Sequence, residues 1–463
     1  MIRFASAQLD SWLVAEKRKP LVIRGARQVG KTWLVRDMAN RYNLKLIELN
    51  FERNPALADL FTSNRPKEIL KNLESEFETS INPDSSLLFL DEIQAAPAMF
   101  ARLRWFKEDL KNLPVIAAGS LLELALNKYQ YSMPVGRISY FFLEPFSFFE
   151  FLLATGNEFL LKKLETFSHD DTMPESIHEK CLGLYHDYCL VGGMPEPLQK
   201  WVDTENLKEC IKIQQDLLAT FRDDFHKYGG QFDPELLFKL FISVSRQVGN
   251  KFVYNRVDPS AKTLLIKKSL SLLSRARVFT KTKHTRGNGL PLGADSNEKF
   301  FKLLLIDIGL VSVQLGLSSM SNTQADEIIF TNKGGIAEQF VGQQIRSSQS
   351  PLTDPILFYW QRTGGRQGEI DYIIQHDSRV IPVEVKSGTA GSLKSLHQFM
   401  ADKNLDLAVR LNSNLPSVEK INVKTTTGKP VSYTLLSMPL YLAQQINHLL
   451  TCFIDSESGS RIV

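Results

Sequence analysis

The sequence is short of cysteine, of sustained apolar runs and of one-sided charge. Its 463 residues include four cysteines, Cys181, Cys189, Cys210 and Cys452, none spaced as a Cys-x-x-Cys pair. A disulfide framework or a thiolate zinc site usually shows such spacing, so the four read as reduced thiols of a cytoplasmic protein. The most apolar stretch, ISYFFLEPFSFFEFLL from Ile138 to Leu153, is broken by Glu144, Pro145 and Glu150. Those interruptions argue against a membrane span, and no membrane partner is expected. The first twenty residues, MIRFASAQLDSWLVAEKRKP, carry Asp10 and no apolar core, so they do not read as a signal peptide. Hydrophobic residues make up 43%, charged residues 23%, and the formal net charge is +4. That is an ordinary globular composition whose mild basicity permits a nucleic-acid partner without demanding one. The length predicts two to four domains.

What the sequence does have begins with LVIRGARQVGKTWLVRDMANRY: an apolar strand, a glycine-containing loop and a helix. The loop Gly25-Ala26-Arg27-Gln28-Val29-Gly30-Lys31-Thr32 fits G-x-x-x-x-G-K-[ST] and leads into Trp33. Gly25 and Gly30 allow the backbone to curl so that its N–H groups face a phosphate chain. The positive end of the following helix adds to that field. Lys31 is placed to reach the β- and γ-phosphates of ATP, and Thr32 to ligate Mg²⁺. A second apolar strand, SSLLFLDEIQ, ends in Asp91-Glu92. Asp91 is placed to hold the Mg²⁺ shell and Glu92 to polarise the attacking water. A further strand, PVIAAGS, stops at Ser120, whose hydroxyl either senses the γ-phosphate or caps the strand end. Strands LVIRG, KLIELN, LLFLDE, PVIAAG and ISYFFLE alternate with helical segments. This predicts a parallel three-layer α/β sheet with its ligand at the C-terminal strand ends.

GARQVGKT, LFLDEIQ, VIAAGS, GRISYFFLEPFSFFEF, VGGMPEP and the EID…PVEVK stretch together resemble a prokaryotic group of AAA-type ATPases. In that group the ATPase domain is followed by a poorly characterised C-terminal region. The resemblance implies that Arg137, of the Gly136-Arg137 pair, is a sensor or an arginine finger. The plainer alternative is a helix-end arginine capping a carbonyl or pairing with Glu144. Arg102 and Arg104 are weaker candidates on a solvated helix face. An AAA-type ring would be a homo-oligomer taking its finger from a neighbour, whereas a monomeric switch would use Arg137 in cis.

Beyond the ATPase, the segment from about Ile177 to Ser245 reads as helical, with Gly192, Gly193 and Pro195 marking a tight turn. ELLFKLFISVSRQ and AKTLLIKKSLSLLSRARVF read as two helices, and VFTKTKHT with LPLGADSNEKFFKLLLID as a basic strand pair. That order is consistent with a winged helix, which the resemblance supports. Lys267, Lys268, Arg275, Arg277, Lys281, Lys283 and Arg286 give it a basic side suited to DNA phosphates. Such modules also serve as lids or docking surfaces.

The last region runs helix, three strands, helix, strand, the order of a restriction-endonuclease-like core with its PD-(D/E)XK motif. Asp371 lies on one strand. Glu384 and Lys386 lie two apart on the next, so they share a face. A hairpin through QHDSR would set Asp371 beside Glu384, where a divalent cation relieves the repulsion of paired carboxylates. Lys386 would then orient the attacking water or stabilise the charge that develops. By resemblance, Glu338 is an extra metal ligand and Gln398 an accessory polar residue. The alternative for Glu384 and Lys386 is an ion pair on an exposed strand face.

The sequence therefore predicts an AAA-type P-loop ATPase domain over 1–156, a helical and winged-helix region over 157–325, and a nuclease-like α/β domain over 326–463. The expected cofactors are ATP and Mg²⁺. The expected function is an ATPase acting on or regulated by DNA. Its counterpart is a nucleotide-driven switch whose last domain only binds a protein partner.

Overall fold

The computed structural model of the chain describes residues 1–119, 136–227, 232–317, 334–362, 368–388 and 392–459. Ser120 lies outside the described residues. The chain divides into two compact units. The first is Met1–Pro145 with Ser271–Val278 and Ser350–Pro355; the second is Phe146–Leu270, Phe279–Gln349 and Ile356–Val463.

The first unit is built on five strands, β1 (Leu21–Arg24), β2 (Lys45–Asn50), β3 (Ser86–Asp91), β4 (Val115–Ala118) and β5 (Ser139–Phe142). They line up as β2-β3-β4-β1-β5, every pair parallel. The five apolar runs legible in the sequence are these five strands. β3 and β4 are buried along their whole lengths, which is why they read as continuous apolar runs and not as alternating patterns. Helices Lys31–Arg41, Pro66–Glu76 and Ala98–Asp109 bury Leu34, Ile69, Leu73, Phe100 and Leu103. Ile69, Leu73, Phe100 and Leu103 join Val22, Leu88 and Leu90 in one apolar cluster. Each fully buried side chain of this size contributes about 1.5–3 kcal/mol.

Two later segments complete this unit. Arg277, at φ +60°, reaches Glu144 and Asp354, each at 2.6 Å, and its guanidinium lies 4.8 Å from the centre of the Phe142 ring. The Phe142 N–H donates to the Pro351 carbonyl at 2.6 Å. Glu144 is therefore the partner of Arg277, not of Arg137.

The second unit carries eight strands: β6 (Phe279–Thr285), β7 (Ser296–Leu305), β8 (Leu357–Gln361), β9 (Glu369–His376), β10 (Arg379–Val385), β11 (Leu407–Asn412), β12 (Ser417–Lys424) and β13 (Pro430–Pro439). Their order is β12-β13-β11-β10-β9-β8-β6-β7. The basic pair β6–β7 is antiparallel as expected, but it is not a free-standing wing. β6 runs parallel to β8 through Thr282–Leu357, so the hairpin forms one edge of the larger sheet. Helix Gly334–Ser347 precedes β8, and helix Lys394–Lys403 separates β10 from β11.

Four helices, Glu175–Val191, Pro195–Thr204, Leu207–Lys227 and Pro234–Arg246, make the helical part. The VGGMPEP stretch is the turn between the first two. Gly192 takes φ +75°, a left-handed value that favours glycine, and a Cβ on Gly193 would stand 2.0 Å from the Phe146 carbonyl oxygen. Among the described residues no helix is long and apolar enough to cross a membrane.

Candidate functional site

In the first unit the chain leaves β1 at Arg24, turns through the glycine loop and enters helix Lys31–Arg41. Gly30 has φ +95° and Gln28 φ +63°. A Cβ on Gly25 would lie 2.6 Å from the Leu143 carbonyl oxygen, a backbone atom that cannot swing away. The loop therefore needs its glycines for conformation at one end and for close approach at the other.

Lys31 is only 7% exposed, and its ammonium donates to the carbonyls of Gly25 (3.2 Å) and Ala26 (2.8 Å). Burial pushes its pKa down to about 8, against the pull of Glu92 and Asp91. Thr32 Oγ1 donates to Asp91 Oδ2 at 3.2 Å, and Asn50 Nδ2 donates to the same oxygen at 3.3 Å. Burial and the neighbouring Glu92 raise the Asp91 carboxyl above its usual range. Glu92 stands at φ +50°, and its carboxylate accepts a hydrogen bond from the Gln94 side-chain amide. The structure thus brings Gly25 to Thr32 together with Asp91 and Glu92 at the C-terminal ends of β1 and β3. Val29 is buried, whereas Trp33 faces solvent. Gln94 was not singled out by sequence, because nothing in DEIQ reveals that its amide folds back on Glu92.

Arg137 is not part of this assembly. It precedes β5, whose first residue Ser139 pairs with Leu21 at the start of β1. About 10 Å of strand separates that end from the glycine loop, at ~3.3 Å per residue. Arg137 Nε instead donates to Glu108 at 2.8 Å on the surface. The cis-acting sensor role is therefore corrected. Arg102 donates to the Ala98 and Thr62 carbonyls, and Arg104 lies over the Trp105 ring.

The second unit gathers a separate centre. β9 and β10 are antiparallel with Tyr372 opposite Val383, so the next pair sets Asp371 opposite Glu384. Asp371 Oδ2 accepts the Val385 N–H at 2.8 Å. Glu384 is 5% exposed, so this is not an exposed surface pair. Its Oε1 accepts from Lys386 at 2.6 Å, while Oε2 is buried without a hydrogen-bond partner. Helix Gly334–Ser347 supplies Glu338, and its Gly342 lets the helix lie close, since a Cβ there would stand 2.4 Å from the Tyr372 hydroxyl. The Tyr372 hydroxyl donates to the Glu338 carbonyl at 2.7 Å.

Two members of this centre were not expected. Glu369 opens β9, and one oxygen each from Glu338, Glu369 and Asp371 lie within 4.8 Å of one another. Lys302, from β7, places its ammonium among them. It reaches Glu338 at 2.7 Å, Asp371 at 3.5 Å, and Glu369 directly. Four carboxylates thus gather with two ammonium groups, Glu369 and Lys386 half-buried and the others buried. Burial and Asp371 raise Glu338 well above the carboxylate range, and the same causes push Glu384 up to about 8. Burial works against the Lys302 ammonium, yet Glu338, Asp371 and Glu369 hold its pKa well above the ordinary lysine value. Gln398 is engaged elsewhere, donating to Asp402 and accepting from Thr427, both at 3.0 Å.

The glycine loop between β1 and its helix, the acidic end of β3 and the parallel five-stranded sheet are those of a P-loop NTPase fold. Within that class, residues 17–152 match the family model of an AAA domain, and this segment is an AAA-type P-loop ATPase domain. Residues 182–321 and 333–426 match two models described as domains of unknown function (DUF8612 and DUF4143). A search of curated proteins gave no match. Among solved structures, the chain is similar to the ORC2 protein of Aeropyrum pernix in its ADPNP–ADP complexes. Identity there is 12%, covering 68% of this chain and 92% of that one, with a TM-score of 0.32. It is also similar to a signal transduction ATPase with numerous domains and a tetratricopeptide repeat sensor from Pyrococcus horikoshii. Identity there is 13%, covering 74% of this chain and 45% of that one, with a TM-score of 0.24.

Proposed function

We propose that this chain is a Mg²⁺-dependent ATPase whose C-terminal region, over 326–463 in the second unit, is a restriction-endonuclease-like domain acting on DNA. At the first site Thr32 and Asp91 would hold Mg²⁺, and their oxygens already lie 3.2 Å apart. The ion supplies charge neutralisation along the phosphates. Lys31 binds the phosphate chain, and Glu92 orients and takes a proton from the attacking water. Gln94 must yield its hold on Glu92 for that carboxylate to face water.

One observation carries the nuclease-like reading. Carboxylates of Glu338 from helix Gly334–Ser347 and of Glu369 and Asp371 from β9 converge within 4.8 Å, and Glu384, opposite Asp371 on β10, has a buried Oε2 without a hydrogen-bond partner. An orphaned buried carboxylate oxygen suits an oxygen-seeking cation. Glu338, Asp371 and Glu384 would hold Mg²⁺, which lowers the pKa of a bound water and neutralises a scissile phosphate. Lys386 holds Glu384 in place and offers its ammonium to developing charge. The helix–β8–β9–β10–helix–β11 order supports the same reading.

The expected result is that Asp371→Ala abolishes Mg²⁺-dependent DNA cleavage while ATP hydrolysis continues. Wild-type protein that cuts no duplex, branched or single-stranded DNA with Mg²⁺ or Mn²⁺ refutes the nuclease reading. The second reading, a nucleotide-driven switch whose last domain binds a partner without cutting, is favoured by the Lys302 ammonium among the carboxylates.

A further inference from the structure

The acidic centre draws its cation from outside the motif that defines it. Glu369, Asp371, Glu384 and Lys386 come from β9, β10 and the residue just after β10, and Glu338 from the preceding helix. Lys302 comes from β7, at the far edge of the sheet order, 36 positions before Glu338 and 69 before Asp371. It reaches the centre because the β6–β7 hairpin joins the sheet alongside β8. Its stem is buried, and its ammonium lies 5.6 Å from the centre of the Tyr359 ring.

The oxygens available to a second cation are few. Asp371 Oδ2 is taken by the Val385 N–H, and Asp371 Oδ1 faces Lys302 at 3.5 Å. Glu338 Oε2 accepts from Lys302 at 2.7 Å. Glu384 Oε1 accepts from Lys386, which leaves Glu384 Oε2 buried without a partner; Glu338 Oε1 accepts no hydrogen bond from the described residues either, whereas both oxygens of Asp371 are engaged. A divalent cation needs several oxygen ligands at short range, and Mg²⁺ sheds its waters reluctantly. It can add Asp371 to Glu338 Oε1 and Glu384 Oε2 only by displacing Lys302 from Asp371 Oδ1, because Oδ2 is held by the Val385 N–H. Two cations at one point in a buried space also repel strongly.

We infer that Lys302 is the resident cation of this centre and competes with a divalent metal ion for Glu338 and Asp371. It is a positioning residue that sets whether the centre is held by an ammonium or by a metal. The inference rests on the nuclease-like reading of Glu338, Asp371 and Glu384. It adds that a segment outside the nuclease-like core controls their occupancy.

The test is Mn²⁺ binding to the full chain by calorimetry without nucleotide, comparing wild type with Lys302→Met and Lys386→Met. Both substitutions remove one positive charge, but only Lys302 shares the oxygens of Glu338 and Asp371. Lys302→Met is expected to tighten Mn²⁺ at least about tenfold, clearly more than Lys386→Met does, a difference of ~1.4 kcal/mol per decade. Adding Glu338→Gln to Lys302→Met should return the affinity to the wild-type level. Lys302→Gln removes the same charge while keeping an amide donor, and it serves if Lys302→Met does not fold. It should show the same tightening. Equal tightening by the two lysine variants reduces the effect to general electrostatics and overturns the competition. Mn²⁺ binding to wild type that Lys302→Met leaves unchanged overturns the inference and keeps the metal-site reading. No Mn²⁺ binding by any variant overturns both.

Discussion

Lys31→Ala is expected to lower ATP affinity at least about 100-fold and to remove ATP hydrolysis, with the fold retained. The ammonium is buried, and the two carbonyls that hold it belong to the same loop, Gly25 and Ala26. It is thus stationed where a phosphate chain would lie and needs only to exchange carbonyl oxygens for phosphate oxygens. Truncating one partner of a buried, hydrogen-bonded charge pair costs 2–5 kcal/mol or so, and about 2.8 kcal/mol is already a factor of ~100. Calorimetric titration with ATP measures this, and unchanged affinity would sink the assignment of the loop. The same lysine predicts a pH dependence. Burial holds its pKa near about 8, below the ordinary 10.5. Below that pH the free protein already carries the ammonium, and binding takes up no proton. Above it the free protein has lost the proton while the nucleotide-bound form retains it, so ATP affinity should fall toward about tenfold per pH unit. The sign for folding is opposite. Between about 8 and 10.5 the unfolded chain binds the proton more strongly, so the nucleotide-free protein gains stability as pH rises through that window. ATP affinity that is flat from pH 7 to 9.5 refutes the placement of Lys31.

The glycine loop and the acidic strand end were legible because their determinants are local. Eight consecutive residues carry the loop, and the apolar run Leu87 to Leu90 announces the strand that ends in Asp91. Periodicity also placed Asp371 opposite Glu384, since a two-residue repeat on each strand of a hairpin fixes which side chains meet. What was not legible depends on which strand joins which sheet. The β6–β7 pair has every local mark of a basic hairpin, and nothing within it says that β8 will pair with Thr282, His284 and the residue between them. Nothing in the sequence therefore sets Lys302 apart from the other lysines of that pair. Arg277 was misread for the same reason: its basic neighbours suggested a DNA-facing side, whereas it lies between Glu144 and Asp354. Arg137 was misplaced as a sensor acting in cis for a different reason. The resemblance drew attention to a Gly-Arg pair before the last strand of the core. In a parallel sheet the residue before a strand sits at the end remote from the ligand.

Asp307→Asn is expected to destabilise the second unit by about 3–5 kcal/mol, as large an effect as any single change there. Asp307 is fully buried, just after β7. Its Oδ2 accepts the Gly193 N–H at 2.7 Å and the Gln343 side-chain amide at 3.0 Å, and its Oδ1 accepts the Gly309 N–H at 3.0 Å. This one carboxylate fixes the Gly192-Gly193 turn and helix Gly334–Ser347 against the segment following β7. Burial raises its pKa, while the donors from Gly193 and Gln343 pull it down. With a raised folded pKa, the charged form loses stability as pH climbs from the unfolded value of 3.8 to the folded one. Coulombic gain is therefore not what this residue supplies. It supplies acceptors, on both oxygens, to N–H groups that have no water to turn to. Asparagine keeps the shape but replaces one acceptor with an NH₂ aimed at donors, leaving buried N–H groups unpaired at about 1–3 kcal/mol each. Alanine removes the clash and orphans the same donors, so Asp307→Ala should not rescue the loss. Chemical denaturation read by tryptophan fluorescence and by circular dichroism measures both variants. A midpoint for Asp307→Asn within about 1 kcal/mol of wild type would show that the Gly192-Gly193 turn is held by its own packing and not by this carboxylate.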